Sequence, residues 1–218
     1  MNQDPRCQLI ATALDMNASG INYGTSGNVS LRHGGGMLIT PSGARYDGLH
    51  PADIVFVSSA GHWDEGREPS SEWRFHLDIY RQRPDADAVL HAHPVHCTAL
   101  ACLGKTIPPF HYMVAVAGGE DIRCTPYATF GTQALSDAVL QALSGRKACL
   151  MANHGLVCLE SDLPRALALA IEIESLAQIY CQCLAIGDAV LLDSAEMARV
   201  IEKFRHYGAA AAGKKAPE

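Results

Sequence analysis

The sequence has no long apolar run and no cluster of positive charge. Its 218 residues include 17 lysines and arginines against 23 aspartates and glutamates, which gives a formal net charge of −6. No run of lysine and arginine is longer than the two residues of Lys214-Lys215, so the chain lacks the clustered cations that non-specific nucleic-acid binding needs. No stretch approaches the roughly 18 apolar residues of a membrane-spanning helix. Both absences argue against nucleic-acid and membrane partners.

The sequence also has no C-x-x-C pair among its eight cysteines. Its first residues, Met1 to Arg6, contain neither a basic start nor an apolar segment, so we expect no secretory signal. Cys149 and Cys158 lie in apolar runs, where cysteine behaves as a small hydrophobic residue. We therefore expect free thiols and a cytoplasmic location rather than a disulfide scaffold.

The composition that remains is that of a globular protein. Hydrophobic residues make up 48% and charged residues 18% of the chain, enough apolar material for a sizeable core. We find no internal repeat and no linker, and so predict one α/β domain over residues 1–208 with a mobile C-terminal tail over residues 209–218.

Hydrophobic periodicity predicts alternating helices and strands. Predicted helices cover 5–18, 71–83, 95–103, 132–143, 163–186 and 195–207, and predicted strands cover 28–32, 37–40, 53–58 and 88–93, with a β-type run over 148–159 that breaks near 153–155. Ser70 is the expected N-cap of the second helix, with Glu72 in its first turn. The alternation is not regular enough to require an all-parallel sheet.

Two histidines stand two residues apart on a predicted strand. Side chains at that spacing point to the same face of a sheet, so the rings of His91 and His93 could both reach one metal ion. His154, at the end of a second apolar segment and followed by Gly155, could supply a third imidazole. Three neutral ligands leave the metal its full charge and an open position, the composition of a catalytic zinc site. The other seven histidines are expected to be structural or solvated.

Glu72 is the candidate for acid–base chemistry at such a metal. It begins a helix, where the free N–H groups and the dipole favour an anion. Two hypotheses stand side by side: a glutamate that only complements the helix dipole, and a carboxylate that binds the metal or moves a proton.

Three small turns could bind an anion through neutral donors. Residues 25–28 and 41–43 are rich in glycine and hydroxyl groups, and Ser70-Ser71 opens a helix, where phosphate binds well without a lysine. Together with a Lewis-acid site, they indicate a phosphorylated small-molecule substrate.

These residues lie in segments that resemble the class II aldolase/adducin family. The similar segments are GTSGNVSLR (24–32), ITPSG (39–43), PSSEWRFH (69–76), HAHPVHCT (91–98) and NHGL (153–156). Residues 111–119, 126–132 and 203–208 resemble the members that cleave L-fuculose 1-phosphate. The likeness extends from about residue 5 to residue 208.

The resemblance implies a three-layer α/β/α domain with a central, mainly antiparallel sheet, in a homotetramer with sites at subunit interfaces. It implies one zinc ion per subunit on His91, His93 and His154, with Glu72 as a further ligand that leaves to act as acid and base. Tyr112 of a neighbouring subunit would donate a proton on the aldehyde side, and Tyr207 would help to close the site. The implied phosphate-binding residues are Gly27, Asn28, Ser42, Gly43, Ser70 and Ser71.

The activity implied is zinc-dependent cleavage of L-fuculose 1-phosphate, or a similar ketose 1-phosphate, to dihydroxyacetone phosphate and L-lactaldehyde. Within the family the alternatives are a pentulose-5-phosphate 4-epimerase, which carries aspartate at the position of Glu72, and a decarboxylase or dehydratase of phosphorylated sugars. A non-enzymatic adducin-like interaction module is a further alternative, but it should lack the histidines and the glutamate that are present here.

Overall fold

The structure is a computed structural model that describes residues 4–207, without the side chains of residues 205–207. In this range the helices are α1 (Pro5–Ala18), α2 (Trp73–Gln82), α3 (Val95–Cys102), α4 (Gln133–Ala142), α5 (Leu163–Ile186) and α6 (Ser194–Tyr207). The strands are β1 (Asn28–His33), β2 (Gly36–Ile39), β3 (Val55–Ser58), β4 (Ala88–Ala92), β5 (Cys124–Thr125), β6 (Ala148–Met151) and β7 (Gly155–Glu160). The predicted tail, 209–218, lies outside the described residues.

The strands of the described chain form one sheet in the order β3-β2-β1-β4-β7-β6-β5. Every neighbouring pair is antiparallel except β5 and β6. The central strand β4 pairs with β1, which places Asn28 opposite His91, and with β7, which places Val157 opposite His91. The prediction of a mainly antiparallel sheet is therefore confirmed.

Helices cover both faces of the sheet. Strand residues such as Leu90 and Leu156 pack with α1, α3 and α5 in one buried cluster, whereas Val89 and Val157 pack with α2 and α4 in a second. Neighbouring positions of a strand thus serve opposite faces, as the two-residue period of a strand requires. The result is the predicted three-layer arrangement, and it puts His91 on the face covered by α2.

Polar caps begin several helices where the sequence places them. The Asp4 carboxylate accepts a hydrogen bond from the Arg6 N–H at 2.9 Å, and the Asp162 carboxylate accepts one from the Arg165 N–H at 2.8 Å. In both helices a proline occupies the first turn, where its missing N–H costs no hydrogen bond. These local signals explain why the predicted starts of α1 and α5 agree with the observed ones.

The predicted start of α2 was wrong. The helix begins at Trp73, and its N-cap position is held by Glu72 rather than by Ser70. A turn closed by a 3.0 Å hydrogen bond from the Trp73 N–H to the Ser70 carbonyl precedes the helix, and the Ser70 hydroxyl accepts from the Glu72 N–H at 3.3 Å. Because Glu72 precedes the first helical turn, its side chain can turn back toward the sheet.

Helix α5 is long and apolar enough to cross a membrane by length and composition alone, contrary to the expectation from the sequence. A core helix satisfies the same criteria, so one such helix carries little weight. In this structure one face of α5, including Ala166, Ala170 and Ile173, is buried in the cluster against the sheet. Its apolar character on that face is explained by packing.

Asp78 joins α2 to α4, and we expect it to stabilise the fold above acid pH. Its carboxylate accepts from Ser136 Oγ at 2.7 Å, Gln133 Nε2 at 2.9 Å and Arg81 Nη1 at 2.7 Å. Burial by itself raises the pKa of Asp78, but these three hydrogen bonds outweigh burial and lower the pKa below its usual value. Asp78→Ala should lower the free energy of unfolding by about 2 kcal/mol at pH 7, as measured by urea denaturation.

A lowered folded-state pKa means that the stabilisation is present above the unfolded value of about 3.9 and is lost as the pH falls through the folded value. The stabilities of the parent and Asp78→Ala should therefore converge in acid. Asp15→Ala, at an exposed position of α1, is the control and should change stability by less than about 0.5 kcal/mol. Equal stability of parent and Asp78→Ala at pH 7 would contradict this account.

Candidate metal and substrate site

His91 and His93 lie at the end of the central strand and point to the same face of the sheet. His91 is completely buried in β4, and its Nδ1 lies 2.9 Å from the carbonyl oxygen of Leu156 on β7. A carbonyl only accepts, so Nδ1 carries a hydrogen and Nε2 is the ring nitrogen that faces the other histidines. His93 follows β4 by one residue, and its Nε2 lies 2.9 Å from His91 Nε2.

The third imidazole comes from the hairpin turn between β6 and β7. The chain turns at Asn153, which has a left-handed backbone with φ of 55°, and His154 follows it. Gly155 packs so closely that an added Cβ would lie 2.5 Å from the Ala92 carbonyl oxygen and 2.8 Å from His93 Cδ2. The missing side chain at position 155 is what lets the hairpin bring His154 beside His93.

One ligand atom from each of the three histidines lies within 4.8 Å of those of the other two. The three rings are also mutually edge-on, with centroids 4.8 to 5.0 Å apart. Thus the three histidines that the sequence singles out, and no others, form the His/Cys cluster of the described chain that could hold a metal ion.

Glu72 closes the fourth side of this cluster. The two oxygens of its buried carboxylate face two of the histidines, Oε2 at 3.0 Å from His91 Nε2 and Oε1 at 3.2 Å from His154 Nε2. Asn28 Nδ2 also donates to Oε2 at 3.0 Å. Oε1 has no hydrogen-bond partner among the described residues although it is buried. A buried carboxylate oxygen without a hydrogen bond, beside imidazole nitrogens, is the position where a cation fits.

The protonation states of Glu72, His93 and His154 agree with a metal-binding role. At His91 burial lowers the pKa, but the Glu72 carboxylate and the Leu156 carbonyl outweigh burial and raise the pKa. Burial by itself raises the pKa of Glu72, but His91, His154 and the Asn28 N–H outweigh burial and hold that pKa at about 2. Burial and the neighbouring imidazoles lower the pKa of His93 and of His154 to about 4. At neutral pH Glu72 is therefore an anion and these two histidines are neutral, the forms that bind a metal.

The donor set suits a divalent transition-metal ion. It consists of three imidazole nitrogens and one carboxylate oxygen, the types of ligand that zinc accepts in catalytic sites. The carbonyl of Leu156 fixes the orientation of His91, as a second partner does for most metal-binding histidines. The residues present therefore fit a bound divalent metal ion.

Two of the three small turns predicted to hold an anion adjoin one another, and the second of them leads directly into Glu72. A bridge between Pro41 and Pro69 joins residues 41–43 to residues 69–71, with the Ser42 N–H bonded to the Glu68 carbonyl and the Ser70 N–H bonded to the Thr40 carbonyl, both at 3.0 Å. Gly43 has a left-handed φ of 63°. Their proximity was not visible from the sequence, because 26 residues or more separate the two turns.

Residues 25–28 are divided between the cavity and the buried hydrogen bonds around Glu72. Gly27 lies so close to β4 that an added Cβ would be 2.8 Å from the His91 carbonyl oxygen. The Asn28 side chain is buried and already bonded to Glu72 and His76. Thr25 and Ser26, which precede them, line the cavity instead.

An open cavity of about 390 Å³ lies in front of the three histidines and Glu72. The residues that line it are Thr25, Ser26, Ser71, Glu72, His93, Tyr127, Ala128, Phe130, Asn153 and His154. Tyr127 and Phe130 are about two-thirds exposed at its edge. These two aromatic residues and Asn153 were not singled out as site residues, because they lie in irregular segments where periodicity carries no information; their only sequence signal was the resemblance at 126–132 and 153–156.

The two tyrosines proposed to complete the site lie elsewhere in the chain. Tyr112 is 51% exposed and is not among the residues that line the cavity in the described chain. Its ring is parallel to that of Phe204 in α6, with centroids 6.4 Å apart. Tyr207 ends α6, and its side chain is outside the described residues. Tyr112 is therefore not part of the cavity beside the three histidines of its own chain.

Comparison with known proteins agrees with the geometry. The sequence profile of the Class II Aldolase and Adducin N-terminal domain matches residues 7–181. The chain is 54% identical over 200 residues to a 5-methylthioribulose-1-phosphate/5-deoxyribulose-1-phosphate aldolase of Rhodospirillum rubrum, covering 92% of this chain and 90% of the relative. It is also 54% identical over 202 residues to the L-fuculose phosphate aldolase of Escherichia coli K12, covering 92% and 94%. A solved L-fuculose 1-phosphate aldolase superposes with a TM-score of 0.90 at 39% identity, covering 94% of this chain and 98% of that one.

Removing one imidazole should weaken metal binding without unfolding the protein. We expect His154→Ala to lower the affinity for zinc by more than about 100-fold, because even partners that only orient a ligand contribute 10- to 100-fold. The measurement is competition for zinc with a chromogenic chelator, starting from metal-free protein. His62→Ala, at an exposed turn, should bind zinc like the parent. Parental affinity in His154→Ala would remove this residue from the site.

Proposed function

The chain belongs to the Class II Aldolase and Adducin N-terminal domain family, and from that premise we propose that it is a zinc-dependent aldolase of ketose 1-phosphates. The substrate proposed first is L-fuculose 1-phosphate, which would be cleaved to dihydroxyacetone phosphate and L-lactaldehyde. The observation that supports this most is the buried carboxylate of Glu72 beside three imidazoles at the floor of an open cavity.

His91, His93 and His154 would hold the metal ion, with Glu72 as a further ligand before substrate binds. A divalent cation at this position supplies Lewis-acid stabilisation for the oxygens of the substrate where negative charge develops. The cavity has no lysine among its described lining residues, which agrees with a mechanism that needs no Schiff base.

Glu72 would move the proton at C3. Cleavage of a ketose 1-phosphate breaks the bond between C3 and C4, so C3 of the product must gain a proton and the C4 hydroxyl must lose one. Glu72 is anionic at neutral pH because its pKa is held at about 2, so it can remove the C3 proton of dihydroxyacetone phosphate in the direction of synthesis and return it in cleavage.

Hydroxyl and backbone donors would hold the phosphate. The proposed residues lie in the two adjoining turns and at the start of β1: Gly27, Asn28, Ser42, Gly43, Ser70 and Ser71. Ser71 lines the cavity, and Ser70 is buried behind it. Since the Asn28 amide is occupied by Glu72 and His76, it would turn only if a bound substrate displaced one of these contacts.

We propose further that the enzyme is a homotetramer whose sites are completed across subunit interfaces. Tyr112 does not line the cavity of its own chain but is exposed, as a residue that serves a neighbouring site would be. In the direction of synthesis it would donate a proton to the aldehyde oxygen, and Tyr207 near the end of α6 would help to cover the aldehyde.

A second substrate class has specific support, because the relative from Rhodospirillum rubrum is as similar as the fuculose phosphate aldolase. Cleavage of 5-methylthioribulose 1-phosphate or 5-deoxyribulose 1-phosphate between C3 and C4 also yields dihydroxyacetone phosphate, and only the aldehyde differs. The shared phosphate and metal chemistry cannot distinguish these substrates. Discrimination would come from the exposed edge of the cavity, where Tyr127 and Phe130 lie.

Glu72→Gln should abolish proton transfer while leaving the protein folded and able to bind zinc. The amide keeps the shape of the side chain but cannot accept the proton, so we expect exchange of the dihydroxyacetone phosphate C3 proton with solvent to fall by about 10²- to 10⁴-fold. Proton NMR in deuterated water measures this exchange, and aldehyde release from the three ketose 1-phosphates measures cleavage. Glu65→Gln, at an exposed loop, is the matched control. Exchange at the parental rate in Glu72→Gln would contradict the proposed role.

Mixed oligomers test whether the site is shared. Tyr112→Phe should lose aldol cleavage but keep exchange of the C3 proton, since that step uses Glu72 and not Tyr112. Mixing Tyr112→Phe subunits with Glu72→Gln subunits should restore part of the cleavage activity, because some sites then receive both intact residues. If mass spectrometry shows that subunits exchange and no activity returns, each site is confined to one chain.

A further inference from the structure

A line of buried polar side chains runs between β1 and α2, behind the three histidines and Glu72. Asn28 and Ser30 occupy alternate positions and therefore the same face of β1, and Glu72, His76 and Tyr80 follow one another at a spacing of four residues along α2 and its cap. None of the five is more than 5% exposed. Two polar stripes thus face each other where an apolar interface would be expected.

The polar atoms of the two stripes form an unbroken series of hydrogen bonds. Tyr80 OH lies 2.8 Å from Ser30 Oγ, and Ser30 Oγ lies 2.7 Å from His76 Nδ1. His76 Nε2 lies 2.5 Å from Asn28 Oδ1, and Asn28 Nδ2 lies 3.0 Å from Glu72 Oε2. The series therefore connects a phenol in the protein core to the carboxylate at the site.

The chemistry of the groups decides the direction of every hydrogen bond. An ionised Glu72 only accepts, so Asn28 must present its NH₂ to Glu72 and its carbonyl oxygen to His76. His76 Nε2 then carries the hydrogen, and burial, followed by the nearby His91, lowers the pKa of His76 to about 3, so its Nδ1 is an acceptor at neutral pH. Ser30 donates to that Nδ1 and accepts from Tyr80. Every donor in the series points toward Glu72.

The far end of the series is held in place. Arg32, the next residue of the β1 stripe, places its guanidinium 5.0 Å from the centre of the Tyr80 ring and donates to the Tyr80 carbonyl at 3.0 Å. The His76 ring itself stacks on Phe75 with centroids 4.6 Å apart. His76 consequently cannot shift or turn without breaking contacts on both sides.

We propose that His76 is a positioning residue of this site, which holds the Asn28 amide with its N–H groups toward Glu72 and so keeps the carboxylate oriented for proton transfer. The role rests on the proposed function of Glu72. If His76 did not donate to Asn28 Oδ1, the amide could rotate by 180° and turn its oxygen toward the carboxylate, which would repel it. Filling the space between β1 and α2 requires no particular polarity, whereas orienting an amide requires a donor at the position of Nε2.

Two substitutions of His76 separate positioning from packing. In His76→Gln the side-chain amide nitrogen can reach the position of the ring Nε2 and donate to Asn28, whereas in His76→Asn the amide reaches only the position of Nδ1. With zinc at saturation, we expect His76→Asn to lower kcat for exchange of the dihydroxyacetone phosphate C3 proton by about 10- to 100-fold, with KM within about twofold of the parent. His76→Gln should recover the rate to within about threefold. His33→Asn, exposed at the end of β1, is the control.

The result that would overturn the proposal is an equal loss of kcat in His76→Asn and His76→Gln, accompanied by an equal loss of thermal stability, because His76 would then be a packing residue. A parent enzyme that fails to exchange the C3 proton at all would instead overturn the proposed function of Glu72.

A spectroscopic measurement on the parent tests the hydrogen-bond series without any activity. In ¹⁵N–¹H correlation spectra the ring of His76 should be neutral with its hydrogen on Nε2 from about pH 5.5 to 8.5, in both metal-free and zinc-loaded protein. A ring with its hydrogen on Nδ1, or a charged ring at pH 7, would reverse the direction of the series and contradict the assignment.

Discussion

The structure depends on one buried electrostatic arrangement: a single carboxylate held against imidazoles at the end of the central strand. Glu72 is 5% exposed and His91 is completely buried, so the charge is stabilised by neighbouring groups and not by water. His91 is itself held by the Leu156 carbonyl. The sheet order, the hairpin before β7 and the early turn before α2 together bring the Glu72 carboxylate within 3.2 Å of both His91 and His154.

Close backbone packing around β4 makes this arrangement possible. Gly27 on one side and Gly155 on the other lie so near the strand that a Cβ at either position would be within 2.8 Å of a β4 carbonyl oxygen. Each glycine precedes or begins a strand that pairs with β4 and directs a functional loop, residues 25–28 or the His154 turn, toward the same cavity. The positions of the ligands are thus set by backbone contacts of the rigid sheet.

The two ends of the cavity differ in how they are built. At one end Glu72 and His91 are buried, and Glu72 is joined by hydrogen bonds to the series that runs back to Tyr80. The opposite edge carries exposed aromatic side chains, Tyr127 and Phe130. A buried carboxylate at one end and exposed aromatic residues at the other are consistent with relatives whose names give different sugar phosphates as substrates.

Local patterns in the sequence determined the elements and the ligand types. The spacing of His91 and His93 on a strand, the apolar segment before His154 and the helix signals at α1 and α5 depend only on neighbouring residues, and the structure agrees with them. The resemblance to the family added the mainly antiparallel sheet. The sequence could not show which turns lie side by side. It also could not show that a turn at Ser70 precedes the start of α2. Both features follow from contacts between residues far apart in the chain. Only the tertiary structure decided that His76, expected to be merely structural or solvated, lies two hydrogen bonds from Glu72, since that contact requires β1 and α2 to pack face to face.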